Sequence, residues 1–195
     1  MGSAASLASG STRWGDCRWL RVALACAAIG LWLLPSVRGY GQDLVFRDAF
    51  DPVIVPINDT CATAAPLSVG SQTVGTTFGA HNDYDSGLET CTGYTQAGPD
   101  VVYSALLLAS TTYTVTLSNL DAWFDASISV VGPGTSSVCN VAPINCLKGA
   151  DVGVYGVGES LQFTPSSTGT YYMIVDSFYT RSIDGGSFTI KVTSP

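Results

Sequence analysis

The sequence predicts an all-β sandwich or barrel, and three observations support that fold class. From residue 71 onwards, short β-prone runs alternate with turn clusters, which is typical of antiparallel β folds. Apolar residues make up 46% of the chain and charged residues only 12%, which excludes a disordered acidic chain. Beyond residue 41 no stretch keeps a helical period for ten residues, and the good helix formers Lys and Glu number two each.

Seven segments have the composition of strands. TYTVTL at 112–117 and SFTIKV at 187–192 alternate apolar with polar residues, so each should bury one face and expose the other. Turn clusters rich in Gly, Pro or Ser, such as those at 97–100 and 132–134, separate the segments. The predicted strands are 71–78, 101–108, 112–117, 126–131, 160–164, 170–175 and 187–192.

Residues 1–41 are predicted to be a secretory signal peptide. Three Arg residues precede an apolar run from Val22 to Leu34, and Pro35 ends it, which is the signature of such a signal. The run is shorter than the ~20 residues that cross a bilayer as a helix. An uncleaved anchor is the alternative. With cleavage we expect no membrane span in the mature protein, and a location that is secreted, extracellular or in the cell envelope.

The remaining chain divides into an extended lead-in, residues 42–57, and a β domain, residues 58–195. Pro52 and Pro56 break the lead-in, which makes it an edge strand at best. Residues 42–195 carry a net charge of −10, whereas residues 1–41 carry +3. Nucleic acid is excluded as a partner, because its recognition begins with Lys and Arg on phosphates.

Four Cys residues follow the signal: Cys61, Cys91, Cys139 and Cys146. An even number in an exported chain predicts two disulfides. Three pairings are possible, and we favour Cys61–Cys91 with Cys139–Cys146 because each closes one local segment. A zinc site is the rival interpretation, but the chain has no CxxC and a single His.

Short motifs follow one another in order from Asn58 to the C-terminus. They are NDTC at 58–61, GTT at 75–77, NDY at 82–84, Cys91, GPDVVY at 98–103, YTVTL at 113–117, Asp125, GTYY at 169–172, VD at 175–176 and GSFTI at 186–190. Together they resemble the bacterial pre-peptidase C-terminal domain family, the accessory modules of secreted peptidases and other exported proteins. The resemblance implies a jelly-roll-like antiparallel β-sandwich of about eight strands. It also implies a non-catalytic domain, of a family whose members in some cases bind calcium, matrix or polysaccharide.

The densest polar cluster is HNDYDSGLE at 81–89. Ca²⁺ takes six to eight oxygen ligands, and Asn82, Asp83, Asp85 and Glu89 could supply several of them around a Gly turn. We therefore predict calcium as a cofactor here, with an ordinary acidic loop as the alternative. Further carboxylates at strand ends could complete the site, namely Asp100, Asp121, Asp125 and Asp176. Asp100 also has a structural interpretation, since it can accept hydrogen bonds from loose backbone N–H groups.

Aromatic residues in two loops are the predicted binding surface: Trp123, Phe124, Phe178 and Tyr179. Exposed aromatic rings stack on sugars or anchor protein contacts. The alternative is that they plug the ends of the sandwich. Because neither GxSxG nor HExxH is present and His81 is the sole His, no catalytic residue is predicted.

The sequence thus predicts a secreted, non-catalytic binding or adhesion module that contacts an extracellular polysaccharide or protein. A structural component of the envelope is one alternative, and a small secreted hydrolase is another.

Overall fold

The computed structural model describes residues 54–85, 91–180 and 185–195. All of them belong to one compact unit, residues 47–195. The predicted signal peptide and residues 42–53 of the lead-in lie outside the described residues. In the described part of the chain, no helix is long and apolar enough to span a membrane.

Nine strands within those ranges form two sheets, which confirms the predicted all-β sandwich. Sheet A has the order β1-β3-β8-β5-β6, and sheet B has the order β2-β9-β4-β7. All neighbouring strands are antiparallel except β1 and β3. The strands are β1 (Ala65–Pro66), β2 (Gln72–Thr76), β3 (Val101–Leu107), β4 (Tyr113–Ser118), β5 (Ala126–Val131), β6 (Lys148–Ala150), β7 (Ser160–Phe163), β8 (Gly169–Ser177) and β9 (Ser187–Thr193).

Each predicted segment overlaps one of these strands, with ends that differ by up to two residues. Two short strands have no counterpart among the predictions. β1 ends on Pro66 and lies at the edge of sheet A, where a residue without an N–H group is tolerated. β6 has only three residues, too few for a periodic pattern to appear in the sequence.

The two sheets pack against each other through a common apolar core. Sheet B buries one face only, as β4 shows: Tyr113, Val115 and Leu117 are buried and the residues between them are partly exposed. Sheet A differs, because every residue of β5 is buried. A second layer must therefore cover its outer face.

That cover layer consists of loops and two 3₁₀ turns, Cys61–Thr63 and Ser136–Cys139. Its buried residues Cys61, Tyr84, Cys139 and Ile144 pack in one cluster with side chains on the outer face of sheet A, namely Val102, Val131, Tyr172 and Ile174. The Tyr84 hydroxyl accepts a hydrogen bond from the Cys61 backbone N–H at 2.8 Å. The cover layer brings residues distant in sequence to one surface.

The disulfide pairing corrects the favoured prediction. Cys61 bonds to Cys139, and Cys91 bonds to Cys146, with Cα–Cα distances of 6.4 and 5.6 Å. The predicted pairs assumed that each disulfide closes a local segment. Instead the two 3₁₀ turns of the cover layer meet over sheet A, so each bridge joins segments that only the fold brings together.

Candidate functional site

Carboxylates and aromatic rings concentrate at one end of the sandwich, where β3 begins and β8 ends. The connections of both sheets meet there. Gly98 N–H donates to the Ser177 carbonyl at 3.0 Å, and Phe178 N–H donates to the Asp125 carbonyl at 3.1 Å. These bonds hold the loops before β3, before β5 and after β8 together at this end.

Asp100 is buried at this end, immediately before β3. Its Oδ2 accepts hydrogen bonds from the backbone N–H groups of Asp83 and Tyr84, at 2.8 and 2.9 Å. Burial raises the pKa of Asp100 to about 8, against the lowering effect of these two donors. The predicted structural role of Asp100 is therefore confirmed. Its carboxylate holds the loop that contains Asp83 and Tyr84.

Glu159 organises a second loop, which connects β6 and β7. Its Oε1 accepts hydrogen bonds from the backbone N–H groups of Val152 and Gly153. The side chain is buried, and burial raises the pKa of Glu159. This carboxylate fixes the loop that carries Tyr155.

One described group of side chains has the spacing of a metal site: Asp59, His81 and Asp83, whose candidate ligand atoms lie within 4.8 Å of one another. His81 Nδ1 lies 2.7 Å from Asp59 Oδ2. This hydrogen bond, with the Asp59 charge, raises the pKa of His81. An imidazole nitrogen with two carboxylates suits Zn²⁺ or Cu²⁺ better than Ca²⁺, which prefers oxygen alone.

The structure brings only one of the four predicted calcium residues into this group. Asp83 belongs to the group with Asp59 and His81, whereas Asp85 does not. Asn82 and Asp85 are both exposed. Glu89 lies outside the described residues. Calcium binding by Asn82, Asp83, Asp85 and Glu89 stays a prediction.

Four aromatic rings contact one another in a chain at this end. The Tyr155 and Tyr179 rings are stacked, with centroids 5.4 Å apart and an interplanar angle of 6°. Phe178 meets Tyr179 edge to face, and Tyr94 meets Phe178 in the same way. The loop with Trp123 is adjacent, since Gly156 N–H donates to the Phe124 carbonyl at 2.8 Å. We call Tyr94, Trp123, Tyr155, Phe178 and Tyr179 the aromatic surface.

These rings are accessible to a ligand. Tyr94, Trp123 and Tyr155 are each more than half exposed, and Tyr179 is 36% exposed. Exposed apolar patches on a folded protein mark interaction sites. Trp123, Phe178 and Tyr179 lie at the same end of the sandwich, and their role as binding residues stays a prediction.

Phe124 is a correction, because it cannot contact a ligand. Its ring is completely buried and lies against Phe188 in the core between the sheets. Trp123 and Phe124 are adjacent in a loop, and neighbouring side chains there point in different directions. The alternative that an aromatic residue plugs the end of the sandwich describes Phe124.

Sequence reasoning missed Tyr94, Tyr155 and Asp59. Tyr94 and Tyr155 stand alone in polar or Gly-rich segments without a neighbouring aromatic residue, so only the ring contacts reveal them. Asp59 belongs to the NDTC motif at 58–61, and that motif by itself does not mark a metal ligand.

A groove of about 400 Å³ lies elsewhere, between the edge strands β1 and β2. Tyr103, Val74 and Asn58 contribute to its lining. It contains none of the predicted site residues and no charged side chain. The chemistry therefore favours the carboxylate- and aromatic-rich end.

Comparison with known proteins gives structural likenesses alone. No protein family and no curated protein matches the sequence. Among solved structures, the chain is similar to the pre-peptidase C-terminal domain of a collagenase from Bacillus anthracis, at 12% identity and a TM-score of 0.43, over 66% of this chain and 93% of that one. That structure represents the family that the sequence motifs resemble.

Two further solved structures align with the chain. One is CorA, a surface-associated copper-binding protein from Methylomicrobium album BG8, at 12% identity and a TM-score of 0.48, over 70% of this chain and 100% of that one. The other is PliG, a periplasmic inhibitor of g-type lysozyme from Aeromonas hydrophila, at 14% identity and a TM-score of 0.39, over 66% and 95% of the two chains.

Proposed function

We propose that this chain is an exported, non-catalytic binding module that holds an extracellular polysaccharide against the aromatic surface. The observation that carries the proposal is the chain of ring contacts from Tyr94 through Phe178 and Tyr179 to Tyr155. Rings that support one another in this way form a preorganised platform.

Sugar rings match such a platform. One face of a pyranose carries C–H groups, which pack on an aromatic ring, while its hydroxyl groups need polar partners at the rim. Tyr hydroxyls can supply some of these, and Asp121, partly exposed in the loop before Trp123, can supply others. A polymer suits the surface because its separate rings could contact successive sugar units.

Export is supported by the state of the cysteines. All four Cys residues in the described part of the chain are paired in disulfides. Such bonds persist in secreted proteins and are rare in the cytosol. The predicted signal peptide at residues 1–41 agrees with a location outside the cytoplasm.

Binding to insoluble polysaccharides, measured by sedimentation of the purified protein with each polymer, tests the proposal. We expect a polymer that depletes the protein from solution. Tyr155→Ala and Trp123→Ala should each weaken that binding about tenfold or more, which is typical of central aromatic contacts.

Leu106→Ala is the matched control. Leu106 is 67% exposed on β3, and its register partner Thr170 lies at the opposite end of the sandwich. This variant should bind like the unaltered protein. Equal binding by the unaltered protein, Tyr155→Ala and Trp123→Ala would exclude the aromatic surface as the contact. If the ligand is a protein, the unaltered chain should bind that protein and no polysaccharide, and the same two variants should lose the protein binding.

A further inference from the structure

A row of polar side chains crosses the outer face of sheet A at the same end. Asp176 on β8 pairs directly with Ser127 on β5. One residue beyond the last paired positions, Asp100 lies opposite Asp176 and Asp151 lies opposite Ser127. Residues level with each other on antiparallel strands share a face, with Cβ atoms about 5 Å apart. Ile174, two residues before Asp176 on β8, packs against the cover layer, so the row faces that layer.

Two oxygen atoms in or beside this row have no hydrogen-bond partner among the described residues. They are Ser127 Oγ and Gln96 Oε1, and both residues are completely buried. Gln96 Nε2 donates to Asp151 Oδ2 at 2.8 Å, which places the amide group beside the row. Asp100 Oδ1, at one end of the row, is also buried without a partner. Native proteins rarely leave such atoms unsatisfied.

Among residues 54–85, 91–180 and 185–195, no cationic side chain forms an ion pair with the carboxylates of this row. The one salt bridge in those ranges joins Asp59 and His81. Burial raises the pKa of Asp151. Burial, followed by the nearby Asp100 charge, raises the pKa of Asp176. Buried carboxylates normally have a cationic partner or a metal.

We propose that a hard divalent cation of the Ca²⁺ class binds over Ser127, between the carboxylates of Asp151 and Asp176, with the Ser127 hydroxyl and the Gln96 amide oxygen as neutral ligands. Every donor is an oxygen atom, which selects Ca²⁺ over Zn²⁺ or Cu²⁺. Water completes the six to eight ligands that Ca²⁺ requires. The site uses none of the predicted calcium residues Asn82, Asp83, Asp85 and Glu89.

The ion would connect the aromatic surface to the sheet. Gln96 belongs to the segment between Cys91 and β3, and that segment carries Tyr94. Coordination of Gln96 would fix this segment against β5 and β8. Polysaccharide binding does not require the ion, so each proposal can fail without the other.

Calorimetric titration of the purified, chelator-treated protein with CaCl₂ tests the site. We expect one ion per chain with a Kd of roughly 0.1–1 mM, the range of extracellular calcium modules. Saturating CaCl₂ should raise Tm by roughly 5 °C. Asp151→Asn and Asp176→Asn should weaken binding at least tenfold. Ser127→Ala should weaken it measurably, and this small substitution keeps the test valid if an Asp variant does not fold.

Asp59→Asn and Asp83→Asn are the matched controls, because they alter the neighbouring acidic group and leave the row intact. They should bind CaCl₂ like the unaltered protein. Absence of calcium binding in the unaltered protein would overturn the proposal and leave the row to buried water. Loss of binding in Asp83→Asn, with Ser127→Ala and Asp151→Asn unaffected, would overturn it in favour of the loop at 82–89.

Discussion

The carboxylate of Asp100 accepts hydrogen bonds from two backbone N–H groups of a neighbouring loop, on Asp83 and Tyr84. The Tyr84 N–H is buried, so it has no water as a substitute partner. This side chain therefore helps to hold that loop against the sheet, together with the Cys61 N–H, which donates to the Tyr84 hydroxyl.

At the residue scale, Asp100→Ala should lower the free energy of unfolding by about 2–4 kcal/mol, because it leaves these donors unsatisfied. Asp100→Asn keeps an acceptor oxygen and should lower it by about 1 kcal/mol or less at pH 7. Urea denaturation of both variants measures the difference. An equal loss in the two variants would mean that packing, and not the acceptor, is what Asp100 provides.

The cover layer is the element that distinguishes sheet A from sheet B. It allows β5 to bury every residue, including Ser127 and Ser129, whereas β4 of sheet B exposes alternate residues. The Cys61–Cys139 bridge joins the two 3₁₀ turns of this layer across 78 residues of sequence. A loop of that length corresponds to about 4 kcal/mol of stabilisation through the unfolded chain.

The double variant Cys61→Ser with Cys139→Ser should contain no free thiol. Its free energy of unfolding should be lower than that of the unaltered protein by about 2–5 kcal/mol. Cys61→Ser with Cys91→Ser is the control, since it breaks both bridges and leaves Cys139 and Cys146 unpaired or mispaired. Thiol titration of the unfolded proteins distinguishes them. A fully oxidised, native-like control would support the local pairing instead.

Several buried carboxyl groups at one end of the sandwich affect the stability of the whole molecule. Desolvation raises the pKa of Asp100, Asp151, Glu159 and Asp176. The charges that face Asp100 are those of Asp59 and Asp83, both acidic. The folded protein then holds protons that the unfolded chain has released.

At the scale of the molecule, the stability of the chelator-treated protein should fall as pH rises. An acid whose pKa is raised by folding binds more protons in the folded state between its two pKa values. For Asp100 this window runs from its ordinary value of 3.8 to about 8. Thermal melts should give a higher Tm at pH 5 than at pH 8, with a smaller difference in Asp100→Asn. A Tm that rises over this interval would contradict the assigned burial.

Local patterns were sufficient for seven of the nine strands in the described part of the chain and for the class of fold. Period-two alternation in 112–117 and 187–192 identified β4 and β9, because a half-buried strand imposes that pattern on its own residues. The same reasoning identified Asp100 as a backbone acceptor, since a carboxylate beside a turn acts within a short stretch of chain. The even number of cysteines similarly indicated two bridges.

Sequence patterns alone establish an all-β, disulfide-bonded module with acidic and aromatic loops. Tertiary structure alone decided which loops meet. Pairing of Cys61 with Cys139, burial of Phe124, stacking of Tyr155 on Tyr179 and the row through Ser127 depend on contacts between residues far apart in sequence. Such contacts leave no periodic trace in one sequence, because the order of strands across a sheet is set by packing of the whole chain.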